Sequence, residues 1–192
     1  MLKITINADI INRFIAIKKL LKQPNSYNLN YSVFIDDRDK MRRYWCTNGH
    51  ILCMYEEENK TDFTLPKYET IVLDIEKLSK LKEYFLTLVF EDENNLINEV
   101  NGRCKSNIPP MVDNILKGIE TWEETKTYQT VDPVYLKALE DFSKEKVWSS
   151  IPLTKDVTNN TCPLLWKTKD TDYKITMLVM PVKSLHKNTD AE

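Results

Sequence analysis

The chain has 192 residues, 42% of them hydrophobic and 29% charged, with a net charge of −2. That length exceeds one ordinary domain and falls short of two, and such a chain buries roughly 70% of its unfolded surface without cross-links. The near-neutral charge gives no pull towards nucleic acid; 3 glycines do not furnish a phosphate-cradling loop, and 4 cysteines without C-x-x-C spacing beside 2 histidines argue against zinc.

A strand-then-helix unit recurs three times along the chain. Leu2, Ile4 and Ile6 alternate with polar residues over 2–7, a strand period. Asp9 is expected to cap a helix to about Lys22, with Ile10, Ile11, Phe14, Ile17 and Leu21 on one face. Strands are then expected at 29–36, 41–47 and 50–56. The second unit is a strand over 69–73, Asp74 as cap, a helix over 75–84, and strands at 85–91, 96–100 and 103–107. The third is a strand over 127–131, Asp132 as cap with Pro133 at the first helical position, and a helix to Ser143. Strands at 147–153, 163–168 and 174–181 follow. Turn residues such as Asn48-Gly49, Asn101-Gly102 and Asn159-Asn160 punctuate them. Periodicity alone also fits a generic α+β protein with hairpin-rich segments.

The thiols of Cys46, Cys53, Cys104 and Cys162 suit a reducing cytosol. The N-terminus MLKITINADI has no charged region leading into an apolar one, and no run of eighteen apolar residues occurs. A cytoplasmic, untethered protein is expected.

Two distant stretches carry the functional signal: Tyr44-Trp45-Cys46-Thr47-Asn48-Gly49-His50-Ile51-Leu52 and Leu178-Val179-Met180-Pro181-Val182-Lys183. Together they resemble the two halves of the peptide-binding cleft of the bacterial sliding clamp, the DNA polymerase III beta subunit, which reads Thr-Asp-Gly-His-Arg-Leu and Met-Pro-Met-Arg-Leu there. Tyr27-Asn28-Leu29-Asn30, Thr70-Ile71-Val72-Leu73 and the segment Ile108-Pro109-Pro110-Met111-Val112-Asp113-Asn114-Ile115-Leu116 extend the likeness over nearly the whole chain. The resemblance implies an α+β clamp-like fold, helices on curved antiparallel sheets, about one and a half clamp domains long. Residues 1–118 are similar to the middle clamp domain, 119–183 to half of the last, and 184–192 form a polar tail expected to be disordered.

Carried over by motif, the cleft is lined by Leu29, Thr47, Gly49, His50, Ile51, Leu52, Pro110, Ile115, Leu178, Met180, Pro181 and Val182. Gly49 supplies the positive φ of a tight turn, and Leu29, Leu52, Ile115, Met180 and Val182 an apolar trough. The resemblance implies a non-enzymatic replication accessory, a processivity factor that binds short linear motifs of DNA polymerase or repair proteins. A phage or mobile-element origin fits the shortening, and the tail is a candidate cover for the trough.

The sequence departs from the clamp pattern in three ways. One whole domain and half of another are missing, which rules out the usual dimeric ring, although some homo-oligomer is possible. The family arginines beside the cleft are replaced by Ile51 and Lys183. The cations offered to a DNA channel, Arg13, Lys19, Lys22, Lys80 and Lys137, are nearly balanced by acids, so double-stranded DNA is expected to bind weakly at most. A decoy that occupies clamp-binding motifs without encircling DNA is therefore an alternative. The segment Met41-Arg42-Arg43-Tyr44-Trp45 suits nucleic acid or, better, a strand with inward aromatics. Enzyme readings on an unrelated α+β fold find no catalytic set, since the acidic runs Glu56-Glu57-Glu58 and Glu91-Asp92-Glu93 read as solvated clusters; no cofactor or metal is implied.

Overall fold

The computed structural model describes residues 2–21, 31–61, 63–65, 70–90, 101–104, 108–121, 123–124, 131–144, 151–154, 163–168 and 173–180. Strand β1 (Leu2–Asn7) alternates as expected, with Ile4 and Ile6 buried and Thr5 exposed. Helix α1 (Ala8–Ile17) follows and tightens into a 3₁₀ turn, Lys18–Leu21. The cap is Asn7 rather than Asp9: Asn7 Oδ1 accepts the Asp9 N–H at 2.9 Å. Asn7 satisfies an otherwise orphaned donor, and Asp9 sits in the first turn, where the helix dipole favours a carboxylate. Ile10, Ile11, Phe14, Ile17 and Leu21 are all buried, the predicted apolar face.

Strands β2 (Ser32–Arg38), β3 (Met41–Thr47) and β4 (Ile51–Glu58) form an antiparallel meander, and β5 (Thr70–Asp74) pairs with β2. The helix expected over 75–84 does not form. Asp74 Oδ1 does accept the Glu76 N–H at 2.8 Å, but the chain makes one turn, Leu78 N–H to Ile75 carbonyl, and then runs irregularly. Side chains of α1 and of the 3₁₀ turn bond to backbone groups that a helix would have satisfied. Asn12 Nδ2 donates to the Leu81 carbonyl at 3.0 Å while its Oδ1 accepts the Leu81 N–H at 2.7 Å. Lys18 Nζ donates to the carbonyls of Glu76 and Leu78. With Ile75 buried and Leu78 and Leu81 half-buried against the main core, an irregular strap satisfies both polar and apolar demands.

After β6 (Phe85–Phe90), which pairs with β1, and β7 (Asn101–Cys104), the segment that carries the cleft candidates Pro110 and Ile115 forms a helix, α2 (Ile108–Glu120). Val112, Ile115, Leu116 and Ile119 recur at helical spacing, and Pro109 and Pro110 occupy the first turn, where no intrahelical N–H is needed. Beyond β8 (Glu123–Glu124), helix α3 (Pro133–Ser143) begins as expected, Asp132 Oδ1 accepting the Val134 N–H at 2.9 Å. Strands β9 (Ile151–Thr154), β10 (Leu164–Lys167) and β11 (Tyr173–Val179) complete the chain. The strand expected at 96–100 lies outside the described residues, as does most of that at 127–131.

All pairings are antiparallel, and nine strands join in the order β7-β5-β2-β3-β4-β11-β10-β9-β8, with β1-β6 a separate pair. The α+β class with helices on antiparallel sheets is as expected, and the helices cover both faces of the large sheet. On one face α1 and α3 bury Ile11, Phe14, Leu139 and Phe142 with Ile35, Tyr44, Cys53, Ile175 and Met177. On the other, α2 sets Val112 and Ile119 against Phe34, Trp45, Leu52, Met54, Leu165 and Leu178.

Arg13 joins α1 to α3. Its Nη1 donates to the carbonyls of Phe142 at 2.8 Å and Ser143 at 2.9 Å, so a cation meets the negative end of α3. Its guanidinium also lies 5.8 Å from the rings of Tyr55 and Tyr173, and Phe14 and Phe142 meet edge-on at 4.9 Å.

Asn12→Ala removes both bonds to Leu81 and is expected to cost about 1–2 kcal/mol. Urea unfolding measures the loss, and hydrogen exchange at the Leu81 amide shows whether it is local to the 75–84 strap.

Candidate peptide-binding site

The β3–β4 turn is built by its own side chains. Asn48 Oδ1 accepts the N–H groups of His50 and Ile51, both at 2.9 Å, and Thr47 Oγ1 donates to the Ile51 carbonyl at 2.8 Å while accepting the Gly49 N–H. Gly49 sits at φ +83°, which an L side chain rarely adopts. Asn48 Nδ2 then donates to the Leu20 carbonyl at 2.8 Å, pinning the turn to the end of the 3₁₀ segment.

Pairing of β4 with β11 brings the second stretch to this turn. Leu52 lies opposite Leu178 and Ile51 opposite Val179, and the Met180 N–H donates to the His50 carbonyl at 2.7 Å. Strand alternation then divides the candidate residues. Ile51 and Val179 enter the core under α1 and α3, whereas Leu52 and Leu178 face α2 and are 5% and 6% exposed. Among the described candidates, Met180 and Ile115, 39% exposed each, are the large apolar ones open to solvent. Gly49 and His50 are exposed, Thr47 half-buried, and the His50 ring lies 6.4 Å from that of Tyr135 in α3. Pro110 occupies the first turn of α2. Leu29, Pro181, Val182 and the tail 184–192 lie outside the described residues.

Basic residues beside this region are spent on internal pairs. Arg43 grips Asp36 bidentately at 2.6 and 3.0 Å, Trp45 Nε1 donates to the same carboxylate at 3.2 Å, and Phe34 stacks on Trp45 with centroids 4.3 Å apart. On the opposite face Arg42 grips Asp37 at 2.9 and 3.1 Å, and Asp37 also accepts the Leu65 N–H. The segment 41–45 is thus a buried strand. Charge reaches α2 through Asp113, which accepts from Arg43 Nη1 at 2.7 Å and Arg38 Nε at 3.3 Å.

Among the candidate DNA-facing cations, Arg13 is buried, Lys19 and Lys80 are exposed, Lys137 is exposed and paired with Asp141 at 2.8 Å, and Lys22 lies outside the described residues. Glu57 accepts the Tyr44 hydroxyl at 3.0 Å and Glu56 pairs with Lys174 at 3.6 Å, while 91–93 lie outside the described residues. No group of three metal-ligating side chains occurs among the described residues. Cys46 and Cys53 face each other across β3–β4, buried, and burial pushes the Cys53 thiol up, away from its reactive thiolate form. The signal for α2 as the partner of this site was present in the spacing of Val112, Leu116 and Ile119, and for its anchoring acid in nothing but adjacency.

Burial pushes the Asp113 carboxyl up, but hydrogen bonding to Arg43 and the charges of Arg43 and Arg38 outweigh it and hold the pKa below the ordinary carboxylate value. A lowered folded pKa contributes stability above the unfolded value of about 3.9 that is lost as pH falls through the folded one. Asp113→Asn is therefore expected to cost about 1–3 kcal/mol at pH 7 and to flatten the decline below about pH 4, read from urea midpoints across pH.

No protein-family model matches the chain, and no curated protein matches it. Solved structures do. The DNA polymerase III beta subunit of Thermotoga maritima aligns with a TM-score of 0.50 at 11% identity, covering 95% of this chain and 66% of that one. A structure assigned as a DNA polymerase III beta subunit, from Eubacterium rectale, aligns at 0.50 and 8% identity over 98% and 66%. The DNA polymerase sliding clamp of Pseudomonas aeruginosa aligns at 0.40 and 9% over 95% and 67%. The chain spans 66% of the length of each of the first two. At these identities the likeness is one of architecture, and the fold of this chain is clamp-like, of the DNA polymerase III beta-subunit type.

Proposed function

We propose that this chain is a sliding-clamp-type binding protein that holds short apolar-aromatic segments of DNA polymerase or repair proteins and performs no catalysis. The observation that carries the reading is the β4–β11 pairing, which sets His50 and Leu52 beside Leu178 and Met180 across 126 to 130 residues of chain. The clamp-like fold supports it independently. A bound segment lies at this end of the sheet beside α2, with Met180 and Ile115 as its exposed apolar contacts and Leu52 and Leu178 beneath. In this reading residues 1–118 act as one clamp-type domain and 119–183 as half of another, and the protein works in the cytoplasm, of phage or mobile-element origin.

Arg13 turning inward to α3 and Lys137 pairing with acids favour a second reading, a decoy or modulator that takes clamp-binding motifs without encircling DNA. Native mass separates the two, since encirclement demands a closed oligomer. Retention on circular but not linear DNA would establish encirclement.

Peptides of the clamp-binding type are expected to bind in the micromolar range, about −8 kcal/mol. Met180→Lys places a charge among the apolar contacts and is expected to weaken binding several-fold, by calorimetry, with the thermal unfolding midpoint unchanged. Absence of binding by the wild-type chain sinks both readings.

DNA binding is expected to be weak, sequence-independent and strongly salt-sensitive. Tight binding at physiological salt that collapses on Lys19→Glu or Lys80→Glu would contradict that expectation.

A further inference from the structure

The strap over 75–84 and the residue that follows it carry side chains that core packing does not use. Ile75, Leu78 and Leu81 turn inward at every third position against the main core, while Lys77, Lys80 and Lys82 stand exposed. The strap's course along α1 is fixed. Lys18 Nζ donates to the carbonyls of Glu76 and Leu78, Asn12 bonds both backbone groups of Leu81, and the Ala8 N–H donates to the Tyr84 carbonyl at 2.9 Å. These anchors, from Lys18 back to Ala8, span about 15 Å at about 1.5 Å per residue, so the three lysines form a row held against a helix. The row ends on two uncovered rings: Tyr84 is 87% and Phe85 59% exposed. Phe85 lies opposite Asn7 on the outward side of the β1–β6 ribbon, where Thr5, Asn7 and Thr87 are exposed polar residues, so an aromatic ring breaks the pattern of that side.

We propose that this strip binds single-stranded nucleic acid, with Tyr84 and Phe85 stacking on bases and Lys77, Lys80 and Lys82 meeting phosphates. Every base offers a π-face, and a row of cations follows one sugar-phosphate backbone, so one ligand accounts for both the rings and the lysines. Asp74, Glu76 and Glu83 are also exposed and weaken the local field, which keeps the contacts few and the binding modest and salt-sensitive. A flexible strand can pass its phosphates over the lysines and away from these acids. A flat anionic bilayer fits less well, because it would meet the acids together with the lysines. A duplex also fits less well, since its bases are stacked on one another and leave both rings unused. Binding of this kind needs no closed oligomer around DNA, and the strip shares no residue with the candidate peptide-binding site. It stands or falls independently of the proposed function.

Fluorescence anisotropy of a labelled oligothymidylate of about twelve nucleotides, titrated with the full chain, decides it. The expected dissociation constant is on the order of ten micromolar at about 50 mM salt. Its logarithm is expected to change with log salt at a slope of about 2 in magnitude, for three phosphate contacts at about 0.7 each. Tyr84→Ala is expected to weaken binding at least about fivefold with that slope unchanged, and Tyr84→Phe, which keeps the ring, to bind like the wild type. A Lys77→Gln, Lys80→Gln double variant is expected to flatten the slope to about 0.7. Met180→Lys is expected to leave affinity and slope as they are, which separates this strip from the peptide-binding site. The altered side chains at 77, 80 and 84 are exposed, so thermal midpoints are expected to stay at the wild-type value. No binding of the oligothymidylate, undiminished binding by Tyr84→Ala, or equally tight binding of a duplex of the same length would each overturn the proposal. Binding of phosphatidylserine vesicles in place of the oligonucleotide would overturn it in favour of a membrane.

Discussion

Seven residue pairs between β4 and β11, from Tyr173 opposite Glu57 to Val179 opposite Ile51, join the last described strand to the centre of the sheet. Closing so long a loop carries an entropic cost that grows only slowly with loop length, and the pairing offsets it by completing two cores at once. Ile175, Met177 and Val179 enter the face covered by α1 and α3, while Leu178 enters the face covered by α2. Without this pairing, Ile51 and Leu52 would each lose a neighbour on their own face, and the turn at Gly49 would have no Met180 beside it. Core, sheet order and candidate site rest on the same hydrogen-bonded ladder.

A second constraint fixes which residues that ladder presents. Arg42 and Arg43 are adjacent on β3 and point to opposite faces, each gripping the aspartate directly across on β2, Asp37 and Asp36. Buried ion pairs add little net stability, but a buried charge without its partner costs several kcal/mol. A one-residue slip of β2 against β3 would set one aspartate opposite Tyr44 or Met41 instead of an arginine and move every side chain to the wrong face. The pairs therefore act as register markers. They also explain why a segment so basic in sequence offers little cationic surface.

The two sheet faces differ in how they are closed. Under α1 and α3 the seal is deep, with Phe14 on Phe142 and Arg13 capping the end of α3. Under α2, among the described side chains, Val112 and Ile119 are buried, Leu116 packs against them, and Asp113 pairs with Arg38 and Arg43. The clamp-like architecture supplies the scaffold, and the contents of each face decide what it can hold.

The amino-acid sequence by itself determined most of the described strands, the α3 start at Asp132-Pro133, the buried face of α1 and the turn at Asn48-Gly49, because each depends on local hydrogen bonding or on a hydrophobic period that neighbouring residues display. Likeness of two short motifs was enough to reach the clamp-like fold. Tertiary structure alone decided the rest. The segment 75–84 has a cap and spaced leucines, yet Asn12 of α1 and Lys18 of the 3₁₀ turn bond to its backbone and leave it irregular. Asp9 yields the cap to Asn7 by a shift of two residues, within the usual uncertainty of a helix end. Arg13 reads as a flanking cation on a helical wheel and becomes an internal staple once α3 lies alongside. The motif residues Ile51 and Leu52 stand together in sequence, but the pleat sends them to opposite faces, and α2, legible as an amphipathic spacing, found its place on Leu52 and Leu178 through Asp113 meeting arginines some seventy residues away. Pairings of that range leave no local trace, because the partners share neither a period nor a neighbourhood until the chain has folded.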